Sequence, residues 1–479
     1  MKTFRKSFAA VLAVIMLFTC TFAANAVSKE VWDSNWTAKQ EDINAAVVMT
    51  PGADETQRVI SWYSDNDNGK VVLYDILGAD HIFNAGATAT PDGDYRLSAT
   101  VTDLLPGREY SYICKSGDWE SDTYTFTTID DAAFTAVYMT DIHVSFDKTP
   151  ENSVRDTAYN LDLVLETAVN KAASKGSTLD LVLSAGDQAS DGLREEYVGV
   201  TANKYLKEIP MAFCIGNHDR KSADYNYFHV AKPNTIDMGL KSYTGTDYAF
   251  VKGNVLFLMI DTNNTSMAGH REFIQNAVNT YPDTKWRVAV FHHDLYSGRI
   301  ESRESENAFL RLMWAPVADE FGFDLCLTGH SHYYTISNVM YNNKTVAPVE
   351  NGGKITDPAG TVYMVSGSIN NPRTDADGLS KNIGHAVLTE EKIYNLIDFS
   401  ANSIVINSYT VESDECIGSL TIEKTSNAGG HSYSSPMSWL NKVIDVISAI
   451  ACIVNNIGRY YDYTQLGFDI PLFDGLLGK

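Results

Sequence analysis

Five short polar motifs, each directly after an apolar run, constrain the fold of this 479-residue chain most strongly. The apolar runs have the length of buried strands, and stretches with helical spacing separate several of them. Strands that alternate with helices predict a layered α/β architecture, in which loops at the carboxyl ends of the strands carry the functional groups. The five motifs are, in chain order, Asp141-Ile142-His143, Gly186-Asp187, Gly216-Asn217-His218-Asp219, His292-His293 and Gly329-His330-Ser331-His332.

The motifs combine carboxylates, one amide and several imidazoles, which are ligands that suit divalent transition metals. On an extended chain, residues two positions apart point to the same side, so Asp141 and His143 can reach one metal ion. His330 and His332 have the same spacing. Asp187 can offset the repulsion between two dications by bridging them, and such a pair of ions activates water and holds a phosphate. The motifs therefore predict a dinuclear metal site that hydrolyses phosphate esters.

Each motif alone has an ordinary structural explanation. An Asp-x-His pair is common on surfaces, a Gly-Asp pair is common in turns, and a single histidine is common in loops. Six of the eleven histidines of the chain nevertheless fall within these motifs, and every motif follows a strand-like run. The combination favours a metal site over five unrelated surface features.

Composition and charge exclude one broad class of partner. With 44% hydrophobic residues the chain is globular, and its formal net charge of -23 makes it strongly acidic. Such a protein lacks the basic footprint of a nucleic-acid binder and repels polyanions at long range. A small phosphorylated substrate remains compatible, because metal ions dominate the local field of their site. The length of the chain predicts two or more domains.

The N-terminal segment, residues 1–26, has the features of an export signal. Three basic residues among the first six precede an apolar run from Phe8 to Phe22, which is short for a membrane span. Ala24-Asn25-Ala26 then matches an A-x-A cleavage site. We therefore expect a cleaved signal peptide and an exported protein, secreted or at the cell surface. An uncleaved anchor is the alternative, and a lipid anchor on Cys20 is less favoured because bulky residues precede that cysteine.

The C-terminal region, residues 426–479, begins with a linker that contains Ser, Asn and Gly. An apolar stretch that is predicted to be helical follows over residues 437–457. Lys442 and Asp445 interrupt this stretch, which makes it a poor transmembrane span. We expect the tail to pack against the body or at an interface, with contact to a membrane surface as the alternative.

Residues 27–130 are predicted to be β structure throughout. Short alternating runs such as Arg58–Trp62 and Tyr95–Val101 are separated by turn signals such as the stretch 65–69. Short strands at this spacing predict a sandwich. The stretch from Leu105 to Tyr110 resembles the tyrosine corner of fibronectin type III modules, in which the tyrosine hydroxyl bonds to nearby backbone. A fibronectin III-like β-sandwich is therefore expected here.

Over residues 131–425 strand-like and helical patterns alternate. A strand is predicted over Phe134–Met139, and apolar residues at helical spacing predict a helix over 156–174. Two late runs, 361–365 and 404–409, are predicted to be strands of a second packed sheet. Further strands are predicted over 179–184, 254–260, 287–291 and 324–327, and further helices over 271–278 and 306–321.

The order Asp-x-His, Gly-Asp, Gly-Asn-His-Asp, His and Gly-His-x-His resembles the signature of calcineurin-like metallophosphoesterases. This resemblance covers about residues 134–410, and the Gly-Asn-His-Asp and Gly-His-x-His motifs are its most specific parts. The β-module before it resembles the N-terminal module of purple acid phosphatases. Together the two resemblances imply an α+β protein with an N-terminal β-sandwich and a four-layer α/β/β/α phosphoesterase domain.

The resemblance also implies a role for each motif residue. His218 would bind no metal, face the phosphate and protonate the leaving oxygen as a general acid, while a metal-bound hydroxide attacks phosphorus in line. Asp219 would either orient His218 or cap a helix. One metal ion would be held by Asp141, His143, Asp187 and His332, and the other by Asp187, Asn217, His292 and His330.

The chain departs from the family pattern at three places. The family has His-x-Pro where this chain has His292-His293-Asp294, so His292 fits the ligand position, although His293 could also supply the ligand. Purple acid phosphatases have Gly in place of His143 and a Tyr in place of Ser190, and that tyrosinate binds ferric iron and gives the colour. One ligand is therefore gained and one is lost. We expect a colourless enzyme with two divalent ions, which would be Mn, Fe or Zn.

These observations predict an exported, dinuclear phosphomonoesterase that acts on a small phosphorylated substrate. A phosphodiesterase or nucleotidase on the same site is the close alternative, because substrate choice depends on pocket walls that a sequence does not show. A non-catalytic surface binding protein with a degenerate site is the third possibility. All seven ligand positions and the His218 position are filled, which argues against degeneration.

Overall fold

The computed structural model describes residues 27–74, 80–146, 150–236, 247–296 and 300–425, together with positions 443 and 446. The predicted signal peptide, 1–26, and nearly all of the predicted tail, 426–479, lie outside the described residues. Among the helices that the structure describes, none is both long and apolar enough to cross a membrane.

The described chain begins with two helices, α1 (Lys29–Ala38) and α2 (Gln40–Ala45), so the prediction of β structure is wrong for this stretch. Ser28 caps α1 because its hydroxyl accepts a hydrogen bond from a backbone N–H of the first turn. Trp32 and Trp36 lie one turn apart, with ring centroids 6.0 Å apart. This aromatic pair gives the short helix an apolar face that can pack against the rest of the protein.

The predicted β-sandwich follows the two helices. Its strands are β1 (Val48–Pro51), β2 (Arg58–Ser64), β3 (Lys70–Tyr74), β4 (Asp80–Asn84), β5 (Gly86–Ala89), β6 (Tyr95–Val101), β7 (Glu109–Ser116), β8 (Trp119–Glu120) and β9 (Tyr124–Thr127). One sheet has the order β1-β2-β6-β5, and the other has the order β4-β3-β7-β8 with β9 also paired to β7. Trp62 and Tyr112 are fully buried in the core between them. The backbone N–H of Leu105 donates to the Tyr110 hydroxyl at 2.9 Å, which confirms the tyrosine corner.

Two seven-stranded sheets form the centre of the second domain. Their strands are β10 (Phe134–Met139), β11 (Leu181–Ser184), β12 (Met211–Phe213), β13 (Tyr248–Lys252), β14 (Val255–Ile260), β15 (Trp286–Phe291), β16 (Leu325–Thr328), β17 (Tyr334–Ser337), β20 (Gly353–Thr356), β21 (Val362–Val365), β22 (Ile383–Val387), β23 (Ile393–Phe399), β24 (Ser403–Thr410) and β25 (Cys416–Glu423), with β18 (Val339–Tyr341) and β19 (Lys344–Ala347) forming a separate pair. The first sheet has the order β12-β11-β10-β23-β24-β25-β20, and the second has the order β13-β14-β15-β16-β21-β17-β22.

The two sheets pack face to face, and helices cover their outer faces. The inner faces share one core, to which Phe134 and Phe399 of the first sheet and Phe257 of the second contribute. The helices are α3 (Pro150–Ser174), α4 (Arg194–Thr201), α5 (Tyr205–Glu208), α6 (Asp224–Phe228), α7 (Met267–Thr280) and α8 (Ile300–Phe321), with a 3₁₀ turn at Asp219–Lys221. The core on the first sheet's outer face includes residues of α3 to α6, and that on the second includes residues of α7 and α8. The four-layer α/β/β/α prediction is therefore confirmed.

The prediction that residues 361–365 and 404–409 belong to one second sheet is wrong. β21 lies in the second sheet between β16 and β17, whereas β24 lies in the first sheet between β23 and β25. Both runs have the pattern of buried strands. Pattern alone does not tell which of two stacked sheets a returning strand joins, because either sheet would bury the same side chains.

The sandwich is fixed against the second domain by buried polar contacts. The guanidinium group of Arg96 is fully buried and donates to the Ser61 hydroxyl at 2.9 Å and to the Phe228 carbonyl at 3.3 Å. The Tyr112 hydroxyl donates to the Lys207 carbonyl at 2.7 Å. The bonds to Phe228 and Lys207 join the sandwich to the segment between β11 and β13, which carries several of the motif residues.

Candidate metal centre and active site

The motif residues lie in loops directly after strands of both central sheets. β10, β11 and β12 are parallel, and so are β14, β15 and β16, so the carboxyl ends within each set meet. The structure brings all eight predicted site residues together at this end. Asp141 and His143 follow β10, Asp187 follows β11, Asn217 and His218 follow β12, His292 follows β15, and His330 and His332 follow β16.

The local backbone at the site is not extended, contrary to the expectation from the Asp-x-His and His-x-His spacing. Asp141, His143, Asp187, His330 and His332 all have φ between 49° and 72°, in the left-handed region. Asp and His enter this region more readily than most residues, but at a cost. The paired side chains therefore converge because left-handed turns fold the loops inward, and not because a strand alternates.

Two glycines allow the loops to approach one another closely. A Cβ on Gly216 would lie 2.0 Å from the Asp187 Oδ1, and a Cβ on Gly329 would lie 2.6 Å from the Asp141 Oδ2. Both distances are far below contact distance, so any side chain here would push a carboxylate out of the site. These motif glycines are required for the packing of the loops around the carboxylates.

The first group of candidate ligands consists of Asp141, His143 and His332, which are all buried. The Nε2 of His332 lies 3.2 Å from the Asp141 Oδ1 and 3.2 Å from the Nε2 of His143. The Nε2 of His143 lies 3.7 Å from the Asp187 Oδ2. Four predicted ligands of one metal thus present their ligand atoms to a common point.

The donor chemistry of this group fits a cation. The Nδ1 of His332 donates to the Asn371 carbonyl at 2.8 Å, so its Nε2 directs a lone pair towards the Asp141 carboxylate. Two atoms with lone pairs at this separation repel unless a proton or a metal ion lies between them. Imidazole and carboxylate ligands in a buried pocket are the usual environment of a transition metal.

The second group is built around His292. Its Nε2 lies 3.2 Å from the Asp187 Oδ2 and 3.0 Å from the Asn217 Oδ1, while its Nδ1 donates to the Ala185 carbonyl at 2.9 Å. His293 points elsewhere, since its Nδ1 lies 2.8 Å from the Thr262 hydroxyl. Of the two adjacent histidines, His292 is therefore the one that faces Asp187.

His330 connects both groups in a way that the sequence did not predict. Its backbone N–H donates to the Asp141 Oδ2 at 2.9 Å, and its ring lies 5.0 Å from the ring of His292. Its Nε2 lies 3.2 Å from the Glu306 Oε1, and ligand atoms of His293, Glu306 and His330 lie within 4.8 Å of one another. The Nε2 of His330 thus faces the buried carboxylate of Glu306.

Several residues that were not predicted from the sequence hold the candidate ligands in position. Glu306 lies on α8, distant from every motif, and no local pattern marks it. The loop after β21 gives a clearer sequence signal, because its Ser and Asn side chains are types that bond to the backbone. There the Ser368 hydroxyl donates to the Asp141 carbonyl at 2.6 Å, and the Asn370 amide donates to the Ile142 carbonyl at 2.7 Å.

His218 and Asn217 are the only two of the eight motif residues that are partly exposed. The Nδ1 of His218 lies 2.6 Å from the Ser190 carbonyl, and its ring packs edge-on against His143 at 4.7 Å. A ring nitrogen of His218 lies within 4.8 Å of ligand atoms of His143 and Asp187. His218 therefore lies over the candidate metal site on its solvent side, where it can reach a bound substrate.

Asp219 does not orient His218 and does not cap a helix, so both expectations for it are wrong. Its carboxylate accepts hydrogen bonds from the backbone N–H groups of Gly216, Gln188 and Ala189 at 2.9, 3.3 and 3.2 Å. The Tyr197 hydroxyl donates to it as well. Burial and the charge of Asp187 raise the pKa of Asp219 to about 7. Asp219 thus ties the loop after β11 to the loop after β12.

Burial and charge determine the protonation of the metal-free site. Burial disfavours the ionised form of Asp141, but the neighbouring His332 ring lowers the pKa of Asp141 to about 2. Burial lowers the pKa of His143 to about 3. Burial also disfavours the charged form of His292, yet Asp187 raises the pKa of His292 to about 9. The carboxylates are therefore ionised, and metal binding would displace the proton of His292.

Comparison with known protein families agrees with this geometry. Residues 134–334 match the family described as Calcineurin-like phosphoesterase, and residues 45–128 match the family described as Purple acid Phosphatase, N-terminal domain. Residues 134–334 therefore form a calcineurin-like phosphoesterase domain, and residues 45–128 form a purple acid phosphatase N-terminal domain. The match to the N-terminal domain begins after helix α1, which agrees with the position of the sandwich.

One curated relative and two solved structures are similar to this chain over most of its length. "Acid phosphatase type 7" of Danio rerio is 25% identical over 362 residues, which cover 67% of this chain and 77% of the relative. The purple acid phosphatase PPD1 from yellow lupin (Lupinus luteus) seeds has a TM-score of 0.62 at 14% identity, covering 79% of this chain and 74% of that one. The structure of PhoD has a TM-score of 0.54 at 12% identity, covering 86% and 98%.

The family and the site together establish a metal-dependent phosphoesterase. The recognised fold places the buried histidines and aspartates at the strand ends where the motifs predicted them. Their donor types and spacing fit a dinuclear transition-metal site. The chain is therefore an enzyme that is similar to the purple acid phosphatases in architecture.

Proposed function

We propose that this phosphoesterase is an exported phosphatase that hydrolyses small phosphate monoesters with two divalent ions. The observation that carries the proposal is the convergence of seven potential ligands and His218 at the strand ends. Mn, Fe and Zn all suit these ligand types. The first ion would be held by Asp141, His143, Asp187 and His332, and the second by Asp187, Asn217, His292 and His330.

Two such ions would supply activated water and neutralise the charge of the phosphate. The residues of the chain would position the ions, leave a side open to the substrate and deliver a proton. Asp187, which contacts both groups of ligands, would hold the two ions at a fixed separation. Asn217 would offer a neutral oxygen ligand on the exposed side, so that the substrate can approach from there.

His218 would protonate the leaving oxygen. Its Nδ1 faces the Ser190 carbonyl at 2.6 Å, so the other ring nitrogen is the one that can serve the substrate. The Lys221 ammonium donates to the same carbonyl at 2.8 Å and fixes the position of this acceptor. A general acid needs such an orientation to deliver its proton to the leaving oxygen.

The monoester preference rests on the name of one relative. The matched Danio rerio protein is called an acid phosphatase, and the match covers 67% of this chain. A diesterase or nucleotidase on the same site would use the same metal ligands. Export rests on the N-terminal sequence, where basic residues, an apolar run and an A-x-A site occur in the order of a signal peptide.

A hydrolysis panel tests the activity. Nitrophenyl phosphate, bis-nitrophenyl phosphate and nucleoside monophosphates would be compared on protein loaded separately with Mn, Fe(II) or Zn. We expect the monoester to be hydrolysed with the highest kcat/KM, and Asp187→Ala to abolish activity on all substrates. A preference for the diester or the nucleotides would overturn the monoester proposal, and turnover that survives in Asp187→Ala would overturn the site. Fractionation of cells expressing the full chain tests export, which fails if the protein remains inside.

A further inference from the structure

The first described residue of the chain is bound by a buried carboxylate. The backbone nitrogen of Val27 donates to the Glu166 Oε2 at 3.0 Å, and the carbonyl of Val27 accepts a hydrogen bond from the Tyr159 hydroxyl at 3.0 Å. Both partners lie on α3 of the phosphoesterase domain. Only 5% of the surface of Glu166 is exposed, so this is a closed contact and not a chance surface bond.

A second carboxyl group lies one helical turn from the first. Asp162 is as deeply buried as Glu166, and burial together with the charge of Glu166 raises the pKa of Asp162 to about 7. Val27 and Asp162 help to line a cavity of about 300 Å³, together with Trp32. The nearby ammonium group of Lys207 donates to the backbone carbonyls of Thr201 and Asn203.

Among the described residues, the hydrogen-bond donor to the Glu166 carboxylate is the peptide N–H of Val27, which is a poor match for a buried acid. A peptide N–H is one neutral donor, whereas an ammonium group offers three donors and a positive charge. A charged partner removes most of the cost of burying a carboxylate. Val27 is also the residue that directly follows Ala24-Asn25-Ala26, the predicted cleavage site.

We propose that the mature chain begins at Val27 and that its α-ammonium group forms an ion pair with Glu166. This inference rests on the proposed export, because cleavage of a signal peptide creates the new amino terminus. Asp162 adds negative charge at one turn's distance, and Tyr159 holds the first carbonyl. The pocket on α3 is thus a binding site for the chain's own processed terminus.

The contact would fix α1 onto the phosphoesterase domain. The Trp32 Nε1 donates to the Arg155 carbonyl at 3.0 Å, and the rings of Trp32 and Tyr159 lie 5.9 Å apart. The ammonium group of Lys29 lies 2.6 Å from Asp156. α3 follows the loop that carries His143, so docking of the processed terminus would complete the packing of a helix beside the site. An unprocessed chain cannot place a charged terminus there.

The first experiment determines the amino terminus. The exported protein would be purified from cells expressing the full chain, and its first residues would be read by N-terminal sequencing and intact mass. We expect Val27 as the first residue. Cleavage at another bond overturns the inference and leaves export standing. A protein that retains residues 1–26 overturns both, while the hydrolysis panel remains an independent test of the activity.

The second experiment tests the ion pair. Mature protein released from a fusion with Val27 as its first residue would be labelled at its α-amine by reductive methylation at pH 7. A partner that raises the α-amine pKa by one unit makes labelling roughly tenfold slower. We therefore expect labelling about tenfold slower in the unchanged protein than in Glu166→Gln. Glu30→Gln, a change of an exposed acid on α1, is the matched control and should leave the rate unchanged.

A second variant keeps the test independent of the folding of Glu166→Gln. A chain with Gly-Ser before Val27 retains Glu166 but moves the ammonium group away from the pocket. Its amine should be labelled at the rate of an unstructured peptide. Equal labelling rates in the unchanged and extended chains, or in the unchanged chain and folded Glu166→Gln, would overturn the proposed ion pair.

Discussion

The two halves of the metal centre differ in how tightly the chain encloses them. In the first half, Asp141, His143 and His332 are all buried and face one another directly. In the second half, Asn217 is partly exposed, and the Nε2 of His330 faces Glu306. The first half is therefore the closed half, and the second half, which reaches the surface at Asn217, is the open half.

This difference suggests that the two ions have different exchange rates and different roles. An ion in the closed half would exchange slowly, because leaving requires buried loops to open. An ion in the open half would exchange more easily, since its ligand Asn217 is partly exposed. Asp187 contacts both halves, so it is the residue through which a change in one half reaches the other.

Removing the shared carboxylate should abolish the difference between the halves. We expect Asp187→Ala to lose both ions and to lower kcat by roughly 10⁴-fold or more, as when an interdependent set of catalytic groups is broken. Elemental analysis and steady-state kinetics measure the two effects. Asp283→Ala, at an exposed position, is the control and should retain both ions. Two tightly bound ions in Asp187→Ala would show that the halves are independent.

Removing His218 should leave both halves loaded. We expect His218→Ala to lower kcat by roughly 10²- to 10⁴-fold, the range for loss of a general acid, with metal content unchanged. An alkyl phosphate has a poor leaving group, so His218→Ala should lower kcat more on an alkyl phosphate than on nitrophenyl phosphate. Equal defects on both substrates would contradict the general-acid role. Loss of metal would move His218 into the coordination sphere.

Changing Glu306 should affect the open half alone. Glu306→Gln keeps the shape of the side chain but removes the charge that orients His330. Loss of such a supporting carboxylate typically weakens metal binding by about 10- to 100-fold. Stepwise dialysis against a chelator, followed by elemental analysis, should show one ion leaving early and one retained. Equal weakening of both ions would contradict the assignment of Glu306 to one half.

Loading with iron should have the smallest effect, because it should leave the visible absorption spectrum nearly unchanged. Ser190 stands where purple acid phosphatases have their tyrosinate, and its backbone carbonyl contacts His218. We therefore expect no intense visible band in the oxidised, iron-loaded protein. An absorption spectrum recorded before and after reduction checks this. A purple band would show that another tyrosine binds the iron of the closed half.

Most of the architecture, and the convergence of the eight motif residues at one end of the sheets, could be predicted from the sequence. The motif residues follow directly after buried strands, so each apolar run predicts a strand and the polar motif after it marks where that strand ends. The helices α1 and α2 could not be predicted in the same way, because their only strong signal is the aromatic pair of Trp32 and Trp36. α1 packs against α3 and α2 packs against α4, and both of these partners lie more than a hundred residues away.

The rest of the site depends on contacts between distant segments. Glu306 approaches His330 only because α8 packs beside the loop after β16. Asp219 looked like a partner of its neighbour His218, yet three backbone N–H groups bind it instead. Short-range patterns show which residues can bind a metal. Which residues hold those ligands in place is decided by tertiary packing.

The left-handed backbone at His143 has a consequence for how such sites can diverge. Its φ is 50°, a region that glycine enters freely and that costs other residues of order 1–3 kcal/mol. The purple acid phosphatase pattern has glycine at this position. An exchange of His and Gly here would leave the main chain where it is and change only the metal's donor set. A lineage could therefore pass between tyrosinate and imidazole chemistry by side-chain replacement on an unaltered loop.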